Sequence, residues 1–376
     1  MTAKKIIGKL HLWLGLLIGL LVFIIAITGS LYAFKDEIQN ATQPYRFVKE
    51  QDAKMLLPST LIALAKKELP GKHVHAVLYT GAGHSAKVIF YHGGKNEYYY
   101  FVYINQYTGE VLKVSNEFSG FFHFVLEGHF YLWLPHEVGK AIVSTATLLF
   151  FFMLVTGIVL WWPRNKNGRK QRFRIRLKNV RWRRKNYDLH SVLGFYVSWI
   201  GIIFAITGLV WGFEWFARGY YATISGGSAR VEYTEPVSDT AYSKAKNPLD
   251  KVWYFMKKEY APSAAIEIHV PENSRACIAA NANPDPTTYW KTDYRYFDQY
   301  SLKEVDVKHM WGRYANLSNS DKLMRMNYDI HVGAVWGLWG KVLACLASLV
   351  IASLPVTGFM IYLGRRRKKL VYSEIS

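Results

Sequence analysis

Residues 10–34 read LHLWLGLLIGLLVFIIAITGSLYAF, with no Asp, Glu, Lys or Arg among them. An α-helix rises about 1.5 Å per residue, so roughly 20 apolar residues cross the hydrocarbon of a bilayer. This stretch is long enough to span. Three others share its character: Ala141–Trp162, Leu189–Phe213 and Val342–Leu363. Buried core helices of soluble proteins are usually shorter and carry a polar face. The fold class expected is an α-helical membrane protein, a four-helix transmembrane bundle.

The charges lie outside these stretches. The 376-residue chain has a formal net charge of +20, a value that in a soluble protein suggests nucleic acid. Here the basic residues flank the spans. Lys4, Lys5 and Lys9 precede the first, twelve Lys/Arg fall between Arg164 and Lys185, and Arg365–Lys369 follow the last. They alternate with two long connections, the order that four crossings require under the positive-inside rule. Both termini and the 163–188 loop are expected in the cytoplasm, facing anionic lipid rather than nucleic acid. The first apolar run is too long for a cleaved signal peptide and has no clean small-x-small site, so an uncleaved helix is expected. Cys277 is placed outside and Cys345 within the membrane, so no mutual disulfide is expected. No zinc, iron–sulfur or CxxC pattern occurs.

The first span recurs in the third. His11-x3-Gly15-x12-Thr28-Gly29 matches His190-x3-Gly194-x12-Thr207-Gly208 in every spacing. The second recurs in the fourth: Gly139-Lys140-x15-Thr156-Gly157 against Gly340-Lys341-x15-Thr357-Gly358. Such internal agreement points to two parallel halves, each of helix, outer domain, helix. The outer regions repeat as well. In the first, a helix at Pro58–Leu69 precedes strands near Val74–Tyr79, Ala86–Tyr91 and Tyr98–Asn105, then a turn and a last strand over Gln106–Val114. In the second, a helix at Pro248–Tyr260 precedes strands near Ala265–Val270, Ala276–Asn281 and Tyr294–Asp298. One helix on a small antiparallel sheet is the expected unit, an α+β domain on the far side of the membrane.

The segments His11-Leu-Trp-Leu-Gly15, Thr156-Gly-Ile-Val-Leu-Trp-Trp-Pro-Arg164, Asp188-Leu-His-Ser-Val-Leu-Gly194 and Asp329-Ile-His-Val-Gly333 carry a family resemblance over nearly the whole chain. The outer units resemble PepSY domains. The chain resembles the PepSY-associated transmembrane proteins, which are iron-regulated bacterial inner-membrane proteins and include ferric-siderophore reductases. That resemblance implies a bacterial inner membrane, two small PepSY-like periplasmic domains and reduction of a ferric siderophore.

The expected order is then N-terminus and first helix (1–34), periplasmic domain (35–116), interfacial segment (117–138) and second helix (139–162). The basic loop (163–188), third helix (189–213), second periplasmic domain (214–330), fourth helix (331–363) and basic tail (364–376) complete the chain.

Among the twelve histidines, four recur in pairs. His11 and His190 stand at the cytoplasmic ends of the first and third helices. His129 and His331 stand ten and nine residues before Gly139 and Gly340, on the outer side. Ionisable side chains at membrane depth are costly and usually serve a function inside the bundle. Two imidazoles at one depth on neighbouring helices can bind the two faces of a haem iron. Two haems b are therefore expected, held by His11/His190 and His129/His331, with His136 and His123 as alternatives to His129. The absence of CxxCH excludes covalent c-type attachment. From His11 to Thr28 a helix rises about 25 Å, so two such sites would divide the membrane.

Other candidates surround these. Asp188 and Asp329 each precede a histidine by two residues, fit for a helix cap or for orienting the ring. Lys140 and Lys341 suit haem propionates or snorkelling. Trp161 and Trp162 read as an interface belt. The Tyr98–Tyr100 run and the aromatics at 289–300 read as strand packing. His73, His75, His84, His92 and His269 read as exposed strand or loop residues, and His309 has no assigned role.

The function expected is transmembrane electron transfer to a periplasmic acceptor. Gly81-Ala-Gly83 lies between strands and opens no helix, so the chain has no dinucleotide fingerprint. The donor is therefore external, a quinol or a cytoplasmic flavin reductase. The competing expectation is a membrane-anchored PepSY binding or regulatory protein without redox activity. A permease fits less well, since no helix is broken at midplane.

Overall fold

The computed structural model describes residues 2–163, 173, 175–176, 178–243 and 245–373, the last seven by backbone alone. Residues 164–172, 174 and 177 of the basic 163–188 loop and residues 374–376 of the tail expected at 364–376 lie outside the described residues. The elements run α1 (Ala3–Tyr32), α2 (Lys35–Thr42), α3 (Pro58–Glu68), β1 (Val74–Tyr79), β2 (Ala86–His92), β3 (Tyr98–Ile104), β4 (Val111–Asn116), α4 (Phe121–Tyr131) and α5 (His136–Trp161). After the basic loop come α6 (Trp182–Asp188), α7 (Gly194–Gly212), α8 (Glu214–Ile224), α9 (Pro248–Glu259), β5 (Ala265–His269), β6 (Ile278–Asn283) and β7 (Asp293–Phe297). The chain ends with α10 (Asn319–Arg325), α11 (Asn327–His331) and α12 (Gly337–Ser373). A π-helical turn over Leu189–Leu193 joins α6 to α7.

The chain divides into two compact units, Met1–Lys35 with Phe124–Tyr220 and Ile330–Ser376, and Asp36–His123 with Tyr221–Asp329. The first is a helical bundle. Among the described residues it holds four helices long and apolar enough to cross a membrane, covering Ala3–Tyr32, His136–Trp161, Trp182–Gly212 and Ala334–Arg366. Each begins before its expected apolar span, and the last also runs past the span's end to Arg366. Backbone hydrogen bonding continues past the apolar run, because Lys and Arg are good helix formers whose stems lie along the helix while the charge reaches water.

In the bundle α1 packs on α5 and α12, and α7 packs on the same two helices. The shared core holds Ile18, Val22, Phe150, Leu154, Val197, Ala205, Ala347 and Ile351. Small residues bring the backbones close: a Cβ on Gly19 would stand 3.2 Å from Pro355, and one on Gly201 3.1 Å from Leu154. Trp13, Leu17 and Leu20 stay 64–70% exposed on the outer face of α1. Apolar side chains that exposed belong against lipid, where burial in protein offers no advantage over the acyl chains.

The second unit differs from the expectation of two separate small domains. Its strands form one seven-stranded antiparallel sheet, ordered β4-β3-β2-β1-β5-β6-β7. The seam is β1 against β5, with Ala76 opposite His269 and Tyr79 opposite Ile266. An isolated half would leave β1 or β5 as an unpaired edge, and joining them satisfies both rows of backbone groups.

Helices α3 and α9 pack together on this sheet, over a core that includes Leu61, Val77, Val88, Phe90, Trp253, Met256, Ile268 and Ile278. Asp250 fixes the pair by accepting from the Ser59 amide at 2.9 Å and the Ser59 hydroxyl at 2.7 Å. The turn expected before the last strand of the first half is present, and the strand starts at Val111. Asn105 opens that turn, its Oδ1 accepting from the Tyr107 amide at 3.0 Å.

Candidate functional site

The site is built on four Thr-Gly steps in the bundle helices. In each, the threonine hydroxyl donates to the carbonyl four residues back: Thr28 to Ile24, Thr156 to Phe152, Thr207 to Ile203 and Thr357 to Ser353. Its proton is thereby engaged and its oxygen remains an acceptor. A histidine meets each one. His11 Nδ1 lies 3.0 Å from Thr156 Oγ1, and His190 Nδ1 lies 2.9 Å from Thr357 Oγ1. His331 Nδ1 lies 2.7 Å from Thr207 Oγ1. His129 Nδ1 lies 2.9 Å from the Ile25 carbonyl and 3.4 Å from Thr28 Oγ1.

The glycine after each threonine gives the ring its place. A Cβ at Gly29 would meet His129 Cε1 at 2.8 Å, and one at Gly358 would meet His190 Cε1 at 3.1 Å. Gly157 would meet His11 at 3.3 Å, and Gly208 would meet His331 at 3.8 Å. Thr-Gly is thus a seat for imidazole as well as a packing step. Its partners are all acceptors, so Nδ1 must carry the proton and Nε2 the lone pair. A neutral imidazole with Nδ1–H held by the protein is the form that ligates metal through Nε2.

His129 and His331 come together. Their ring centroids are 6.2 Å apart and their planes cross at 63°. Two imidazoles on opposite sides of one ion, with metal–nitrogen bonds of about 2 Å each, place their rings roughly 6 Å apart. Trp211 and Phe204 enclose His331, with centroids at 5.3 and 5.7 Å. His11 is seated on α5 and His190 on α12, each through its threonine. Among the described residues no group of three or more His, Cys, Asp or Glu is set to hold a metal ion.

The alternatives to His129 lie elsewhere. His136 is exposed, with Nε2 at 3.1 Å from Glu127 Oε2 and its ring stacked on Tyr131. His123 falls in the sheet unit, beside Phe118. The two aspartates are corrected. Asp188 ends α6 and caps nothing, because the helix runs on through it. It is buried and pairs with Arg184 Nε at 3.0 Å. Asp329 is fully buried and accepts from the Tyr289 and Trp290 amides at 3.0–3.1 Å. The ring-orienting task expected of these aspartates belongs to the threonines.

The flanking candidates divide in the same way. Lys140 is exposed, as snorkelling requires, whereas Lys341 is buried. Trp161 leaves the expected belt, being 5% exposed and stacked on Phe195 at 3.6 Å, while Trp162 stays exposed. His75 and His269, expected exposed, touch across the sheet seam at 4.9 Å. His309 is buried against Tyr233 and Tyr296.

Residues 9–365 match the family described as PepSY-associated TM region. The chain belongs to that family. The resemblance drawn from the His-x3-Gly and Thr-Gly segments is borne out over nearly the full length. Compared with curated proteins, the chain matches none. In this PepSY-associated chain, sequence reasoning found the four histidines but missed the four threonines as their partners. The signal was present in half of them: Thr28 and Thr207 each stand 17 residues after a histidine of their own span, His11 and His190. What the spacing conceals is that each threonine serves a histidine from another helix.

Proposed function

We propose that the protein is an inner-membrane electron carrier with two b-type haems. Electrons would pass from the cytoplasmic side to a ferric siderophore in the periplasm. His11 and His190 hold the cytoplasmic haem through Nε2, and His129 and His331 hold the outer one. The observation that carries this reading is the four-fold recurrence of a histidine whose Nδ1 is tied to a Thr-Gly step. An anchor for a binding domain has no use for four half-buried imidazoles prepared in the ligand tautomer.

Haem, when bound, supplies one-electron chemistry at low cost in reorganisation. The chain's own residues fix ring orientation through threonine, allow close seating through glycine and flank His331 with the rings of Trp211 and Phe204. Each electron delivered converts Fe(III) in the siderophore to Fe(II), and an external quinol or cytoplasmic flavin reductase is oxidised. The two outer regions follow the first and third helices, so they share the periplasmic face. The repeated spacings support descent of the two halves from one helix-pair unit.

The test is the absorption spectrum of the detergent-purified protein, oxidised and dithionite-reduced. A low-spin b-type spectrum with two haems per chain by pyridine haemochrome is expected. Protein free of haem after expression in haem-replete cells would reject the proposal.

A further inference from the structure

The four seats are alike in design but not in dimension. The Nδ1–Oγ1 distance is 2.7 Å at His331, 2.9 Å at His190, 3.0 Å at His11 and 3.4 Å at His129. Normal hydrogen bonds to nitrogen fall at about 2.7–3.2 Å, so the first three are made and the fourth is marginal. His129 compensates with the Ile25 carbonyl at 2.9 Å. The outer pair is asymmetric in degree: the carbonyl three residues before the threonine neighbours each of the four rings, but at His129 that carbonyl is nearer than the hydroxyl, while His331 lies closest to its hydroxyl.

We propose that Thr156, Thr207 and Thr357 are positioning residues that set the reduction potentials of the two haems, and that Thr28 does so least. This deepens the haem reading and rests on it. Donation from Nδ1–H increases the electron density that Nε2 offers a metal and makes the ring a more basic ligand. A more basic axial ligand favours Fe(III) over Fe(II) and lowers the potential. Each threonine has its own proton engaged on its helix, so its oxygen is a fixed acceptor that no rotation converts into a donor.

Thr→Val keeps the shape and the β-branch and removes only the acceptor. A tenfold loss of Fe(III) preference would raise the potential of that haem by about 59 mV. Thr207→Val is expected to raise one of the two potentials by that order. Thr156→Val and Thr357→Val are expected to raise the other. Thr28→Val is expected to move the outer potential least, because the Ile25 carbonyl remains. Thr207→Ser restores the acceptor and is expected to titrate like the unaltered protein.

The experiment is a spectroelectrochemical titration of each purified variant, with haem counted by pyridine haemochrome. A raised potential in the Val variants and recovery in Thr207→Ser is the expected result. Two haems with unchanged potentials in all four Val variants would overturn the proposal and leave the haem reading standing. A shift in Thr207→Ser equal to that in Thr207→Val would overturn it also, since the hydroxyl would then be irrelevant. An unaltered protein without haem would overturn both.

Discussion

Gly29 shows how little space a ligand seat leaves. The carbon that any other residue would add there falls 2.8 Å from His129 Cε1 and 3.1 Å from Nδ1. Overpacking of a tight site costs about 1–3 kcal/mol or displaces the intruded side chain. Gly29→Ala is therefore expected to weaken or expel the His129 ring, read as loss of the outer haem and a lower melting temperature in detergent. At Gly208 the same carbon meets His331 at 3.8 Å, an ordinary contact, so Gly208→Ala is expected to keep both haems. Equal behaviour of the two variants would contradict the seat geometry. At this scale the repeated spacing singled out His11, His190, His129 and His331, and the structure sets each beside a Thr-Gly step. It misassigned Asp188 and Asp329, whose partners Arg184 and residues 289–290 no spacing rule connects to a ligand.

The elements of the sheet unit carry a charge network that can be titrated. Arg295 on β7 is buried and pairs with Glu259 of α9 at 2.5 Å and also with Glu304. Burial pushes the Glu259 carboxyl up, but the bonds to Arg295 and Arg313 outweigh it and hold the group below its ordinary value. Glu267 at the seam behaves likewise: burial raises it, and His269 and Asn281 bring it below normal. A carboxylate with a depressed folded pKa contributes stability above its unfolded value, about 4.3, and loses it as pH falls through the folded value. The melting temperature of the purified protein is expected to fall from pH 5 to pH 3, and less steeply in Glu259→Gln. An identical fall in that variant would exclude the pair as the cause. The strands themselves were legible from their alternation. Their union into one sheet was not, since an unpaired edge looks the same in sequence whichever strand it later joins.

For the whole molecule, topology and ligand pairing make one joint prediction. If both termini are cytoplasmic, green fluorescent protein fused after Ser376 is expected to fluoresce, and alkaline phosphatase fused there to stay inactive; the converse would reverse the assigned orientation. If the ligands pair as proposed, His11→Ala and His190→Ala remove the same haem. The double variant is then expected to retain one haem per chain, whereas His11→Ala with His331→Ala retains none. Retention of one haem in the second combination would break the pairing.

What the sequence by itself determined was the membrane class, the four spans, the repeat of their markers and the histidines worth following. These are local properties: a bilayer demands an unbroken apolar run with its backbone bonded internally, and that demand is written residue by residue. The tertiary structure alone decided which acceptor holds each Nδ1, that His129 rather than His136 or His123 faces His331, and that the outer strands form a single sheet. Those outcomes depend on turns that reverse the chain. Leu132 and Trp133 take positive φ after His129, and Gly333 does so after His331, where a Cβ would stand 2.3 Å from the Gly340 carbonyl. Such turns bring together groups more than a hundred residues apart, and a contact between remote residues has no signature in the order of either one.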